Sequence, residues 1–178
     1  MDQPGANDAW GLGDIQYEGF LTPAQPGKWI WGVGPYLSIP TATDDVLGTE
    51  KWSAGPAALL LTMPGDWVVG GLVTQLWDFA GNSDRDGVNT TAFLYFINYY
   101  IPNGHGWYLS TSPTITYNWE ADSDNAWTVP VGGGVGKVFK IGEQHVNAKL
   151  AAYGYLEAPD NGPDWTLQFH FTLLFPKK

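Results

Sequence analysis

Apolar and polar residues alternate with a period of two over long stretches of this chain. The last stretch shows it best. Trp165, Leu167, Phe169, Phe171, Leu173 and Phe175 fall on one face, and Thr166, Gln168, His170 and Thr172 on the other, with Leu174 the one break. Successive strand side chains point to opposite sides, so this is a strand with one aromatic-rich face and one polar face. The pattern recurs. Nine extended segments are predicted at about 10–22, 28–41, 51–63, 66–80, 88–101, 106–120, 125–141, 144–157 and 164–175. They run to roughly 12–17 residues, well beyond the usual strand of about 5–6. Helical periodicity is almost absent.

Segment 106–120 splits into Trp107, Leu109, Thr111, Pro113, Ile115, Tyr117 and Trp119 against Tyr108, Ser110, Ser112, Thr114, Thr116, Asn118 and Glu120. Segment 144–157 splits in the same way, with Val146, Ala148, Leu150, Ala152, Gly154 and Leu156 against His145, Asn147, Lys149, Ala151, Tyr153, Tyr155 and Glu157. The first segment puts Asp14, Gln16 and Glu18 together. Segments 51–63 and 66–80 are apolar on both faces, and the pattern alone does not phase them.

The connections alternate in kind. Pro23–Gly27, Pro64–Asp66, Pro102–His105 and Gly142–Glu143 are short and built of turn formers; 42–50, 81–87, 121–125 and 158–163 are longer and acidic. Such a layout has two unlike ends, as in an outer-membrane barrel with tight periplasmic turns and longer external loops. In or beside the long connections lie Asp44, Asp45, Glu50, Asp84, Asp86, Glu120, Asp122, Asp124, Glu157, Asp160 and Asp164, with only Lys51 and Arg85 as cations; Lys28, Lys140, Lys177 and Lys178 gather at the short-turn end. Trp29, Trp31, Trp107, Trp119, Trp127 and Trp165 stand near strand ends, as interfacial aromatic girdles do. The competing reading is a soluble core capped by aromatics.

Composition narrows the field. The 178 residues suffice for one domain, 1–178, with 1–9 read as a disordered or loop remnant. Ten Trp, nine Tyr and eight Phe make an aromatic-rich chain. Cysteine is absent, which rules out disulfides and thiolate metal sites. A net charge of −10 argues against a nucleic-acid partner. No run of 18 apolar residues suggests a membrane helix, and no secretory leader is recognisable, so Met1 is read as a truncation start.

The phrases Trp31-Gly-Val-Gly-Pro-Tyr-Leu-Ser-Ile-Pro-Thr-Ala-Thr-Asp44, Lys51-Trp-Ser-Ala-Gly-Pro56 and Thr172-Leu-Leu-Phe-Pro176 resemble a known family. So do Gly11-Leu-Gly-Asp14, Tyr117-Asn-Trp-Glu120 and Trp127-Thr-Val-Pro130. The family is the bacterial outer-membrane β-barrels grouped as "MetA-pathway of phenol degradation" transporters. The resemblance covers about residues 10–176. It implies an antiparallel up-and-down transmembrane β-barrel in the outer membrane, and a solute that is hydrophobic or aromatic. It also implies a leader and further strands ahead of Gly11. Nine strands with the last ending at the periplasmic side make the first run inward, so at least one earlier strand is expected.

Candidate chemistry is sparse. Asn82-Ser-Asp84-Arg-Asp86-Gly87 spaces its acids like the start of a calcium loop, but Phe93 stands where the bidentate Glu belongs. Gly132-Gly-Gly-Val-Gly-Lys137 lacks the spacing of a phosphate loop, and its glycines are read as a bend or as room for a bulky neighbour. Neither implies a metal or cofactor, and no catalytic residue is assigned. The expected lumen lining is Asp14, Gln16, Glu18, Asn98, Ser110, Ser112, Thr114, Asn118, Asn147, Lys149, Glu157, Gln168 and His170. Lys149 and His170 are expected to approach each other, and Lys137 to snorkel near the short-turn end. The expected partners are the bilayer, lipopolysaccharide and a small solute. Two alternatives stand. One is a soluble lipocalin-like barrel with its aromatic face inside. The other is an outer-membrane lipid hydrolase using Ser110 or Ser112 with His170.

Overall fold

The structure, a computed structural model, describes residues 10–25, 27–160 and 162–175. The expected remnant 1–9 and the terminal Lys177 and Lys178 lie outside them. Ten antiparallel strands form one sheet: β1 (Ile15–Glu18), β2 (Trp29–Ile39), β3 (Lys51–Thr62), β4 (Trp67–Gly81), β5 (Asn89–Tyr100), β6 (Trp107–Thr111), β7 (Thr114–Asn118), β8 (Trp127–Ile141), β9 (Gln144–Glu157) and β10 (Trp165–Leu174). One 3₁₀ turn, Asp45–Leu47, sits in the connection after β2.

Ten strands occupy nine positions. Segment 106–120 breaks at Ser112 and Pro113, and both halves lie between β5 and β8. Proline lacks the donor that a continuous ladder needs there. The first segment is shorter than expected. β1 ends at Glu18 and the chain rejoins the sheet only through Leu21 opposite Val33. Gly19 still donates to the Pro35 carbonyl, but Pro35 has no N–H to return.

The sheet runs β1-β2-β3-β4-β5-(β6, β7)-β8-β9-β10, and among the described residues β1 and β10 are not paired with each other. Nine antiparallel positions make these two edge strands run the same way. The short connections are tight. Gly65 at φ +59° and Gly142 at φ +60° take left-handed turn conformations that suit glycine. At the opposite rim a bulge between Trp52 and Ser53 shifts the β3–β4 register, which bends and twists a strand end.

Register phases the two ambiguous strands. Ser38 pairs with Ser53, Ser53 with Asp78, and Leu76 with Thr90. Gln16, Ser38, Ser53, Thr74, Thr90 and Thr116, from six strands, line one cavity. That face is concave. The other carries Phe169, Phe171 and Leu173, exposed by 68%, 53% and 49%.

Little of the chain forms a conventional core. Ala57, Leu76, Tyr108, Ala126, Val146, Ala151 and Tyr153 are the buried hydrophobic residues. Near the short turns, Ile30, Leu59, Leu61, Leu72, Leu94 and Phe96 share the concave face by register. The lining of hydroxyl, amide and charged groups expected from the pattern therefore holds toward the long connections, while toward the short turns β2–β5 are aliphatic inside. Double-sided apolar strands are the reason the pattern left this end open.

Candidate functional site

The convex face is built first by parity. Trp52, Trp77, Trp119, Trp127 and Trp165 stand at the long-connection end, and Trp29, Trp31, Trp67 and Trp107 at the short-turn end. Pairing puts all of these on one side: Trp29 opposite Thr62, Trp77 opposite Asn89, Tyr117 opposite Trp127, and Trp107 opposite Lys137. Each is exposed by 43% or more. Between the two tiers the convex positions are Val33, Ala58, Leu60, Val73, Phe93, Ile97, Leu109, Val135, Leu150 and their neighbours. No Asp, Glu, Lys or Arg occurs among the described ones. The one cation on this face among the described residues, Lys137, lies at the lower tier with its Nζ 4.9 Å from the Trp107 ring centroid. Its stem covers apolar surface while the charge faces an aromatic π-cloud.

The aromatic tiers are internally packed. Trp67 and Tyr99 have ring centroids 4.6 Å apart, and Tyr117 sits 4.7 Å from both Trp119 and Trp127 in edge-on pairs. The Trp119 indole N–H donates to Thr91 Oγ1 at 2.8 Å, and Gln75 donates to Asn89 at 2.9 Å. Polar groups thus appear on the convex face at the level of the upper tier.

The concave face holds the expected polar residues in three groups. The first lies under the 42–50 connection. Asp14 accepts from the Thr41, Ala42 and Thr49 amides at 3.1, 3.1 and 2.8 Å and from the Thr49 hydroxyl at 2.9 Å. Partial burial alone would raise its pKa; the four donors outweigh that and hold the carboxyl below the usual carboxylate range. Arg85 reaches over from 81–87, donating to the Asp45 and Gly48 carbonyls at 2.9 and 2.7 Å and pairing with Glu50 at 3.5 Å. The 42–50 connection is therefore a strap tied at both sides. Beneath it is a cavity of about 600 Å³ that includes Asp14, Gln16 and Thr114.

Both cations expected among the acidic connections are ion-paired, since Lys51, nearly buried, meets Asp78 at 3.5 Å. The acid-spaced segment 82–87 spends its groups locally. Asn82 accepts from the Asp84 amide and donates to Glu50. Asn118 faces this rim, in a smaller hollow with Asp84, Arg85 and Asp86.

The second group crosses β8. The Tyr108 hydroxyl donates to Asn147 Oδ1 at 2.8 Å, passing over Gly136, where any Cβ would overlap the Tyr108 ring. Lys149 Nζ donates to Ser112 Oγ at 2.9 Å, and the Ser112 amide donates to the Tyr153 hydroxyl at 3.1 Å. The glycine run in β8 is thus room for side chains that span from β6 to β9. Ser110 is buried beside it and pairs with Asn98.

The third group is the β10 edge. His170 is the cross-strand partner of Lys149, as expected, and its Nε2 lies 3.3 Å from Gln168 Oε1. Glu157, expected in the lining, does not share this face: the register shift at the end of β9 puts it opposite Val129, on the Trp127 side of β8, where it stands exposed. Ser112 is joined to Lys149 rather than to His170, and its own amide is committed to Tyr153. The Ser–His pairing weighed from the sequence is not assembled. Lys140 and Lys149 are cations on the β8–β10 side of this face, and Asp14 and Glu18 carry negative charge beside and on β1, while Asp78 on β4 is paired with Lys51 on β3.

Residues missing from the sequence-based lining include Tyr36, Ser38, Ser53, Thr74, Thr90 and Thr116. Ser53 and Thr74 lie on the two strands whose apolar content hid the phase, whereas Thr90 shares its face with Asn98, which the pattern did supply. The buried Ser38 and Ser53, lone hydroxyls in glycine- and alanine-rich runs, were the available sign. Comparisons with protein families, with curated proteins and with solved structures return no match.

Proposed function

We propose that this chain forms the wall of an outer-membrane β-barrel of a Gram-negative bacterium and provides a path for small solutes. The observation that supports it is the pair of Trp tiers on the convex face with an uncharged apolar band between them. A soluble sheet has no use for so large an exposed apolar surface. Acyl chains do, and Trp prefers the two interfaces. A lipocalin-like fold needs Phe169, Phe171 and Leu173 inside, and they are on the exposed side.

Membrane residence sets a requirement on β1 and β10. Unpaired strand edges in hydrocarbon cost several kcal/mol per group, so a barrel must close. Two edges that run the same way are closed, in antiparallel fashion, by one strand running opposite to both. The interior then combines the Asp14 and Glu18 side and the Lys140 and Lys149 side with an apolar end toward the short turns. The resemblance noted in the sequence agrees with a hydrophobic or aromatic solute.

The test is twofold. The protein should aggregate without detergent and enter lipid vesicles as a heat-modifiable β-barrel. In planar bilayers it should then give discrete conductance steps. A monomer that is stable in buffer with no affinity for vesicles overturns the reading.

A further inference from the structure

The cavity under the strap carries more chemistry than a passage needs. Ser38, Ser53, Thr74, Thr90, Thr114 and Thr116 place hydroxyls on its wall, while Val46, Leu47, Leu76, Val88 and Ala92 supply hydrocarbon. Ser53 is 1% exposed and its Oγ has no hydrogen-bond partner. A buried unsatisfied hydroxyl is unfavourable, and in a native structure it asks for a missing partner.

We infer that this cavity is a binding site for an uncharged molecule carrying a hydrogen-bonding oxygen on a compact apolar body, with Ser53 as the anchor. Three observations select that class. A hydroxyl both donates and accepts, so the wall suits an alcohol or carbonyl oxygen of either polarity. The charges at the cavity edge are already matched: Asp14 by four donors, Asp78 by Lys51 and by the Val88 amide at 2.9 Å. An anion entering here would lose its hydration beside the negative Asp14 carboxylate, with Lys51 already taken by Asp78, and a cation would find the Asp14 oxygens filled by four donors. The volume, about 600 Å³, lies in the range of small-molecule sites. The strap closes the site from above through Leu47 and Val46, so an apolar body has a surface to bury against. The site stands whether or not the sheet conducts, because binding is read without transport.

Cyclohexanol is titrated into the full chain, in detergent or in buffer, whichever keeps it monomeric, with binding heat as the readout. Cyclohexanecarboxylate serves as the charged analogue. Wild type should bind the alcohol saturably and the carboxylate at least tenfold more weakly. Ser53→Ala should weaken the alcohol roughly three- to tenfold, as for one lost hydrogen bond. Leu47→Asp in the strap should abolish binding while the sheet's circular dichroism is unchanged. If Ser53→Ala does not fold, Thr74→Val on the same wall is read in its place. Absence of saturable binding to wild type, equal binding of the two probes, or an unaltered affinity in the wall variant each overturns the site. Loss of conductance with intact cyclohexanol binding would instead overturn only the channel reading.

Discussion

Trp67 and Trp77 stand ten positions apart on β4, both on its convex side and both exposed, with only uncharged residues between them. About ten residues of strand span roughly 33 Å. At a tilt of about 40° that is close to 25 Å of height, the thickness of the apolar band of an outer-membrane barrel. A charge placed midway should therefore be costly only in lipid. Val73→Arg is expected to lower folding stability in vesicles by about 2–4 kcal/mol. Denaturant titration in lipid measures it, with Gln75→Arg near the upper tier expected to cost less. Equal, negligible effects at both positions would place the convex face in water.

Tyr108 depends on the absence of a side chain at Gly136. Gly136→Ala puts a methyl into the ring and is expected to destabilise the sheet by about 1–3 kcal/mol. Tyr108→Phe keeps the ring and loses only the bond to Asn147, costing about 1 kcal/mol. Gly136→Ala combined with Tyr108→Ala should cost less than the sum of the separate changes, because the overlap is gone. Unfolding midpoints of the four variants check this, and strict additivity would contradict it.

The strap should loosen in acid. Asp14 titrates lower in the folded protein than in the unfolded chain, so its contribution is complete above the ordinary carboxylate value of roughly 4. It is lost as pH falls through the lowered folded value. Hydrogen-exchange protection of the Thr41, Ala42 and Thr49 amides should drop in that acid range. Asp14→Asn should show reduced protection at neutral pH already. Protection in the wild type that does not change across the carboxylate range would separate Asp14 from strap closure.

Lys149 is an interior cation bonded to a neutral hydroxyl, with no carboxylate within ion-pair distance among the described residues. On the channel reading proposed above, its charge acts on whatever passes along this face. Lys149→Glu is expected to shift the reversal potential toward cation selectivity in a salt gradient, while Lys149→Arg leaves it near wild type. The shift should shrink at high salt through screening. A reversal potential indifferent to the Glu variant would remove Lys149 from the conducting path.

Much of the sheet was legible because alternation fixes which side chains share a face. Segments 106–120 and 144–157 show this: Tyr108 and Ser110 are buried while Trp107 and Leu109 are exposed, and Ala151 and Tyr153 are buried while Leu150 and Leu156 are exposed. Lys137 on the apolar face near the short-turn end was also legible, as was the approach of Lys149 to His170 on consecutive strands; that Trp107 is the neighbour of Lys137 came from the register. The candidate site was legible only in part. Asp14 and Gln16 were in view, but Ser53 and Thr74 were hidden on strands with apolar residues on both faces.

Residue order by itself set the antiparallel meander, the unlike character of its two ends and the aromatic tiers, since each depends on neighbours a few positions apart. Tertiary structure decided the phase of β3 and β4, because cross-strand register and not hydrophobicity assigns a face when both faces are apolar. It also decided the strap and the hydroxyl-lined cavity. These rest on contacts between distant segments, Asp14 with Thr49 and Arg85 with Gly48, that bring together hydrogen-bond donors and acceptors whose local sequences carry no trace of one another.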